Sequence, residues 1–337
     1  KEMCEEAHKL GLKIVVDVVA NHLADVGTDH TDKVDQTLFS DARTMQNGGQ
    51  RIEKWNEREQ VTQGCCIGMP DINTKSEKSQ NIIANYLKEL VKDGADGFRF
   101  DAAKSIELPS AYENGKTSSD FWPNVLNAAK SEKDDGNLFV YGEVLQGDEP
   151  GTNQDGYVNS GLMRITASCY GQLIRYSVGY DVWQQEVNGK DVIRGEGYNQ
   201  GKQESVTTPS VSKVITSIPA AAWDQKIPGN KLVGWVESHD LYANAGATRA
   251  MSVAQREVCW AILASRKEVV PLFFNRPVDT DFGKDMYNPK GEAYKPMGEK
   301  GSDDFKSKNV VAVNKFHNAM KDEDEKLSGL NNDSVYM

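Results

Sequence analysis

The chain has 337 residues, of which 38% are hydrophobic and 26% are charged, and its formal net charge is −11. A chain of this length can bury a substantial core. The negative charge argues against a nucleic-acid partner, because phosphate binding needs a basic face. No apolar run approaches the roughly 20 residues that a membrane helix needs, and the N-terminus lacks the pattern of a signal peptide.

The five cysteines are an odd number and do not have the spacing of a metal site. Cys4 and Cys259 fall in helical patterns, so we expect them to be small core residues. Cys65 and Cys66 are adjacent in a glycine-rich loop. Burial is the simpler interpretation of this pair, and a disulfide to another cysteine is the alternative.

The first hundred residues predict a helix, a strand, an irregular excursion and a second helix. Apolar residues within 1–10 recur at helical spacing, and Gly11 marks the end of this predicted helix. Lys13–Val19 is a continuous apolar run, which is typical of a parallel strand buried on both faces. Residues 23–77 lose this regularity, and their length predicts an excursion with a role of its own. The second helix stops at Gly94. Its predicted apolar face consists of Ile83, Tyr86, Leu87, Leu90 and Val91.

Strands and helices alternate through the rest of the chain. Strands are predicted at 96–100, 138–141, 162–166, 231–236 and 269–274, with a helix at 121–130 and another that Ser252 and Gln255 start with a capping box. Residues 195–215 predict a surface insertion and 321–337 a frayed tail. A last helix has an apolar face of Val310, Val313, Phe316 and Met320.

This order predicts a β/α barrel. Six strands are found where a closed barrel has eight. Because the first element is a helix that must follow a strand, we expect the missing strands to precede residue 1.

Three acidic residues each close a short apolar run. They are Asp101, Glu143 and Asp240. An acidic side chain just past the C-terminal end of a barrel strand lies where such folds build their active sites. Three of them together indicate acid/base and nucleophilic chemistry on a sugar bond.

At these residues the sequence resembles the alpha-amylase family of glycoside hydrolases. Five stretches match motifs of that family in the right order, and the resemblance runs through essentially the whole chain. The matching stretches are Asp17–His22, Met69–Asn73, Gly97–Lys104, Tyr141–Val144 and Trp235–Asp240.

The resemblance implies a (β/α)8 barrel in which Lys13–Val19 is the third strand, so that the first two strands are absent from this chain. Residues 1–22 and 78–337 would form the barrel. Residues 23–77 would be the small domain that the family inserts after strand three.

The resemblance also implies roles for individual residues. Asp101 would be the nucleophile and Glu143 the general acid and base. Asp240 would be the third carboxylate, which accepts hydrogen bonds from hydroxyls of the distorted sugar. A retaining mechanism of this kind places the Asp101 and Glu143 carboxyl groups about 5–5.5 Å apart. Arg99 lies on the same strand face as Asp101 and would keep it ionised, although without the resemblance a structural ion pair is the simpler interpretation. Substrate contacts are implied for His22, Arg99, Lys104 and His239.

A calcium ion is the implied cofactor. In the family, oxygen ligands pin the inserted domain to the barrel, and such ligands suit calcium. The matching ligands are the side chains of Asn21 and Asp71 and the carbonyls of Thr62 and Ser105.

The leading hypothesis from the sequence is an endo-acting alpha-amylase that hydrolyses α-1,4-glucosidic bonds in starch or maltooligosaccharides. Because starch does not enter cells, an extracellular or cell-surface location is expected. A glucan transglycosylase with the same carboxylates is an alternative that motifs do not separate. A non-catalytic barrel scaffold is a further alternative, which the presence of all three carboxylates disfavours.

Overall fold

A computed structural model describes residues 1–24, 34–39, 51–145, 149–180, 182–187, 190–195, 210–212, 221–222, 225–244, 248–249, 251–278, 296 and 298–336. The chain divides into two compact units, Lys1–Thr166 and Ala167–Met337. In the part of the chain that the structure describes, no helix is both long and apolar enough to cross a bilayer.

The first unit is a parallel sheet with helical connections. In chain order it contains α1 (Glu2–Lys9), β1 (Val15–Val18), α2 (Arg58–Gln63), α3 (Glu77–Lys92), β2 (Gly97–Phe100), α4 (Phe121–Lys130), β3 (Phe139–Gly142), α5 (Gln154–Ser160) and β4 (Arg164–Thr166). The strands pair in the order β1, β2, β3, β4. The four strands and the helices α1, α3 and α4 lie at the predicted places. Because the strands are parallel, their C-terminal ends share one edge of the sheet.

The alternation of side chains along β2 separates the core from the site. Phe98 and Phe100 are fully buried, and the Phe100 ring meets the Trp122 ring of α4 edge to face at 5.0 Å. Arg99 lies between them in sequence and so points to the opposite face. Gly94, with φ of +103°, makes the turn after α3 that leads into β2.

Two burial predictions in this unit are wrong. Val15 and Val19 are 40% and 51% exposed, because β1 pairs with β2 on one side and no other described strand pairs with its second edge. Tyr86 is exposed as well. The buried stripe of α3 follows Ile83, Leu87 and Val91 at four-residue spacing, which is narrower than the predicted face.

Asp96, just before β2, anchors the opposite edge of the sheet. Its carboxylate accepts hydrogen bonds from the Ile14 amide at 2.9 Å and from Lys13 and Lys133 at 3.2 Å, and lies 2.8 Å from His8 Nε2. Burial tends to raise the pKa of Asp96, but these hydrogen bonds outweigh it and hold the pKa well below the ordinary value.

The substitution Asp96→Asn is expected to lower the free energy of unfolding by about 1–3 kcal/mol at pH 7. Because the folded-state pKa is depressed, this contribution is complete above the ordinary aspartate pKa and is lost as pH falls below it. Urea unfolding at pH 7 and at pH 3 measures the difference. Asp93→Asn, at an exposed position nearby, is the control. An equal loss from Asp96→Asn at both pH values would contradict this account.

The second unit begins at Ala167. It contains α6 (Ser168–Ser177), β5 (Val182–Val187), β6 (Lys190–Gly195), β7 (Ala221–Ala222), β8 (Gln225–Lys226), β9 (Leu232–Trp235), α7 (Val253–Ala264), β10 (Val270–Leu272), α8 (Lys308–Met320), β11 (Ser328–Gly329) and β12 (Val335–Tyr336). β9 and β10 are parallel. The antiparallel pair of β5 and β6 was not predicted. Most of the predicted insertion at 195–215 lies outside the described residues.

In the second unit α6 packs on β9, and the helices pack on one another. α6 contacts β9, and α7 contacts both α6 and α8. The capping box of Ser252 and Gln255 at the start of α7 is confirmed.

The predicted apolar face of α8 is wrong in part. Val310 is buried and Val313 half-buried, but Phe316 and Met320 are exposed. The face toward α7 runs instead through Val310, Asn314 and His317, because Asn314 accepts a hydrogen bond from Trp260 and His317 Nδ1 lies 2.7 Å from the Ala264 carbonyl.

The tail is not wholly frayed. The Glu325 carboxylate accepts hydrogen bonds from the buried Arg266 at 3.0 and 3.1 Å and from the Lys267 amide at 2.8 Å. A buried guanidinium requires a counter-charge, and this requirement fixes the tail at Glu325.

The five cysteines all lie within the described ranges and none forms a disulfide. Cys4, Cys65 and Cys259 are buried as expected, whereas Cys66 is half-buried, so the burial expected of that pair holds for Cys65 alone. The alternative of a disulfide at Cys65 or Cys66 is wrong for this structure.

Candidate active site

Arg99 is the centre of the site in the first unit. The register of the sheet places it between Asp17 of β1 and Tyr141 of β3. Its Nη1 donates to Asp17 at 2.7 Å and to Asp101 at 2.8 Å, and its Nη2 donates to Glu143 at 3.1 Å. One guanidinium therefore joins three carboxylates from three strands or their C-terminal ends.

The charge balance at Arg99 favours a tightly held cation. Burial alone would lower its pKa, but the hydrogen bonds of Asp17 and the charges of Glu143, Asp17 and Asp101 outweigh burial and raise it. The fixed positive charge reduces the repulsion among the acidic groups and orients each of them. Burial raises the pKa of the neighbouring Tyr141 hydroxyl, with the charges of Asp17 and Glu143 adding to the effect and that of Arg99 opposing it.

The Glu143 carboxylate is held by a second donor. The Ala102 amide donates to Glu143 Oε2 at 3.0 Å. Ala102 has φ of +45°, a left-handed conformation that costs a residue with a side chain about 1–3 kcal/mol. Gly142 precedes Glu143, and a Cβ at this position would come within 2.6 Å of Ala103 and Met163. The local backbone is thus shaped to bring the Ala102 amide to Glu143.

His22 closes the site next to Asp101. It is buried, and its Nε2 lies 3.7 Å from Asp101 Oδ2 while its Nδ1 lies 3.2 Å from Asn21 Oδ1. Burial lowers the pKa of His22 against the raising effect of the Asp101 charge. The imidazole is consequently neutral at pH 7 and able to share hydrogen bonds with uncharged hydroxyl groups.

Lys104 lies in the short turn that follows Asp101. Its side chain is buried, and its Nζ is 4.6 Å from the centre of the Trp55 ring. Trp55 belongs to the excursion of residues 23–77. The contact is a cation–π interaction, which fixes the direction of the Lys104 ammonium.

The predicted calcium ligands are brought together in part. Asn21 Nδ2 donates to Asp71 Oδ1 at 2.8 Å and to the Ser105 carbonyl at 3.0 Å, and all three residues are buried. Thr62 is buried in α2, where its hydroxyl donates to the Arg58 carbonyl at 3.1 Å. No cluster of three or more His, Cys, Asp or Glu side chains suited to a metal is found among the described residues.

Asp240 and His239 belong to the second unit. Asp240 begins a π-helical turn, Asp240–Asn244, and its carboxylate lies 3.6 Å from His239 Nε2. Both side chains are about half exposed. The segment before them is fixed by the buried Glu237, whose carboxylate accepts hydrogen bonds from Arg276 at 2.9 and 3.1 Å.

Asp17 and Trp55 are the site residues that the sequence interpretation missed. Asp17 is the one charged residue of β1, and a charge inside a strand that is predicted to be buried is a signal of function. Trp55 gave no such signal, since its meeting with Lys104 depends on the path of the excursion.

The family model and two curated relatives carry the same family name. The family model described as "Alpha amylase, catalytic domain" matches residues 1–162. A protein named alpha-amylase from Clostridium acetobutylicum is 34% identical over 99% of this chain and 36% of its own length. Another from Butyrivibrio fibrisolvens is 30% identical over 97% of this chain and 32% of its own length. The chain therefore spans about a third of these two relatives.

A solved structure of an alpha-amylase from Geobacillus thermoleovorans, complexed with acarbose, has the same fold. Its TM-score is 0.60 at 17% sequence identity, covering 95% of this chain and 60% of that one. This likeness confirms the predicted β/α-barrel class, here as part of a barrel. Because the family model matches residues 1–162 and the two relatives match nearly the whole of this chain, the chain belongs to the alpha-amylase family of glycoside hydrolases.

Proposed function

We propose that the protein is a retaining alpha-amylase that hydrolyses internal α-1,4-glucosidic bonds of starch and maltooligosaccharides. The observation that carries the proposal is the pair of hydrogen bonds from Arg99 to Asp101 and to Glu143. They hold two carboxylates from neighbouring strands on one side of the sheet. A retaining mechanism needs two carboxyl groups close together, flanking one bond.

In the first step Asp101 attacks the anomeric carbon while Glu143 gives its proton to the leaving glycosidic oxygen. The C–O bond to the leaving sugar breaks, and a covalent bond to Asp101 forms. In the second step Glu143 takes a proton from water, whose oxygen attacks the same carbon and releases Asp101. Two inversions leave the α configuration unchanged.

The other residues bind and orient the sugar in this proposal. Neutral His22, whose Nδ1 faces Asn21 Oδ1, presents Nε2 for a hydrogen bond with a hydroxyl of the ring under attack. Lys104 contacts the sugar on the leaving side. Asp240 and His239 bind hydroxyls that change position as the ring flattens in the transition state.

Calcium is proposed as a structural cofactor, held by Asn21, Asp71 and the carbonyls of Thr62 and Ser105. Support comes from the oxygens: the buried Asp71 carboxylate and the Ser105 carbonyl both meet the Asn21 amide, whose own oxygen would face the ion after a half-turn of the amide group about its Cβ–Cγ bond. Oxygen ligands of this type suit calcium. The ion would link the excursion, which contributes Asp71, to the ends of β1 and β2.

Removal of calcium is expected to lower the melting temperature. An ion at 100 times its dissociation constant stabilises the folded state by about 2.7 kcal/mol. The test is thermal unfolding with a chelator, with excess calcium and with excess magnesium, in the natural chain and in Asp71→Asn. Calcium alone should restore the natural chain, and Asp71→Asn should lose the response. The same melting temperature with and without the chelator would argue against the calcium site.

The location that suits this function is outside the cell or on its surface, because the substrate is a polymer too large to enter. This part of the proposal depends on the substrate alone.

The test of the function is reducing-sugar release from soluble starch by the purified protein, with the product anomers followed by NMR. Hydrolysis that yields α-anomers and shortens internal chains supports the proposal. Products longer than the supplied maltooligosaccharide would instead show a transglycosylase. The absence of any bond cleavage, with glucan binding retained, would show a binding scaffold.

A further inference from the structure

Arg58 of α2 is a buried guanidinium whose five N–H groups all have partners. Its Nε donates to Glu113 Oε1 at 2.7 Å and its Nη2 to Glu113 Oε2 at 2.9 Å. The remaining donors meet the carbonyls of Lys104 at 2.6 Å, Ile106 at 3.1 Å and Gly151 at 3.2 Å. Its side chain is 3% exposed.

Glu113 is equally saturated. Besides Arg58, its carboxylate accepts hydrogen bonds from the amides of Leu108 at 2.8 Å and Gly115 at 3.0 Å, and from Asn153 Nδ2 at 3.4 Å. Burial tends to raise the pKa of Glu113, but the hydrogen bonds and charge of Arg58 and the backbone amides outweigh it and lower the pKa.

This ion pair joins three segments that all follow the C-terminal ends of strands. α2 comes from the excursion after β1, residues 103–115 follow β2, and residues 149–153 follow β3. The third segment also packs directly on Trp55, since a Cβ at Gly151 would lie 2.0 Å from the Trp55 carbonyl.

Lys104 is the residue at which these constraints meet. Arg58 binds its carbonyl, and Trp55, three residues before Arg58, holds its ammonium group from the other end of the side chain. Both ends of Lys104 are therefore fixed from the same short stretch of the excursion. A buried ion pair contributes little net stability compared with apolar packing, so a structural role alone gives a weak reason for so complete a network.

We propose that Arg58 and Glu113 are positioning residues that set the sugar-binding subsite on the leaving-group side by fixing Lys104. The inference rests on the proposed function for the identity of the ligand, a glucosyl unit beyond the bond that is cleaved. It assigns to the excursion a part in substrate selection.

The experiment compares two substrates in Arg58→Lys. A maltooligosaccharide places sugar rings on the leaving side, whereas an aryl maltooligoside places only its aryl group there. With the former, the expected result is a fall in kcat/KM of about tenfold or more through KM, since a misplaced hydrogen bond to a charged group has this size of effect. With the latter, kcat/KM should stay within about twofold, because the glycosyl side of the site is untouched.

Arg266→Lys is the matched control. Arg266 is also a buried arginine, and it forms a bidentate ion pair with Glu325, but it lies in the second unit. The Arg266→Lys variant should lose comparable stability without changing the ratio of the kcat/KM values for the two substrates. An equal fall with both substrates in Arg58→Lys, or no fall with either, would overturn the proposal.

A second measurement separates this inference from the proposed function. Calorimetric binding of maltohexaose is measured in Glu143→Gln with and without Arg58→Lys. Weaker binding in the double variant supports the positioning role. This holds even if the natural protein cleaves no substrate, a result that would refute the proposed function but not the positioning role. Unchanged binding would refute the inference. Methylguanidinium added to Arg58→Ala should restore the lost affinity, whereas a variant that is merely unfolded would not recover.

Discussion

Glu143→Gln is expected to lower kcat for starch hydrolysis by about 10²–10⁴-fold, with little change in the melting temperature. The amide matches the carboxyl group in shape and still accepts a hydrogen bond where Arg99 and the Ala102 amide meet it. It has no proton to give to the leaving oxygen and does not take one from water. Steady-state kinetics on soluble starch and thermal unfolding measure the two quantities.

The loss should be smaller for a substrate whose leaving group needs no proton, such as a dinitrophenyl maltooligoside. The first step then proceeds without an acid, and only the second step still lacks its base. Glu132→Gln is the matched control, because Glu132 forms a surface pair with Lys88. Asp101→Asn should be inactive on both substrates. Substantial starch hydrolysis by Glu143→Gln would exclude it as the acid and base.

Arg276→Met is expected to lower the free energy of unfolding of the second unit by about 3–5 kcal/mol. The Arg276 side chain is 1% exposed, and besides Glu237 it donates to the Thr248 carbonyl at 2.7 Å. Its guanidinium also lies 5.2 Å from the centre of the buried Tyr242 ring. Among the residues that the structure describes, removing it leaves the buried Glu237 charge to be balanced by the more distant Arg256, at 3.7 Å.

Urea unfolding of the single and double variants tests this account. Adding Glu237→Leu to Arg276→Met should recover part of the loss, because the stranded charge is then gone. Lys300→Ala breaks an exposed pair with Asp303 and should cost less than about 1 kcal/mol. If Arg276→Met were no more destabilising than Lys300→Ala, the pair would not hold the segment that leads to Asp240.

The positions of β1 to β4, β9 and β10 and of α1, α3, α4 and α7 could be predicted from the sequence, because local patterns carry them. β2 shows why: two buried phenylalanines alternate with Arg99, and the period of a strand fixes opposite faces for the two types. The capping box at Ser252 is similarly local, since both partners lie within one turn of α7.

The errors arose where exposure depends on a neighbour. Val15 and Val19 are apolar, so the sequence pattern predicts that they are buried. The burial of an edge strand, however, depends on which elements cover it. The predicted apolar face of α8 is rotated by about one residue from the face that contacts α7. Polar contacts of Asn314 and His317 with α7 compete there with apolar packing. β5 and β6 carry no strong alternation that would have revealed them.

By itself, the sequence determined the family and the class of fold and indicated the residues that we propose carry the chemistry, since each motif lies within a few positions on one strand or turn. The tertiary structure decided which groups act on one another. Asp17, Asp101 and Glu143 meet at Arg99 because the parallel register aligns β1, β2 and β3. Arg58 reaches Lys104 because a helix 46 residues away in sequence folds back over the strand ends. Such contacts depend on the path of the whole chain, which no local pattern encodes.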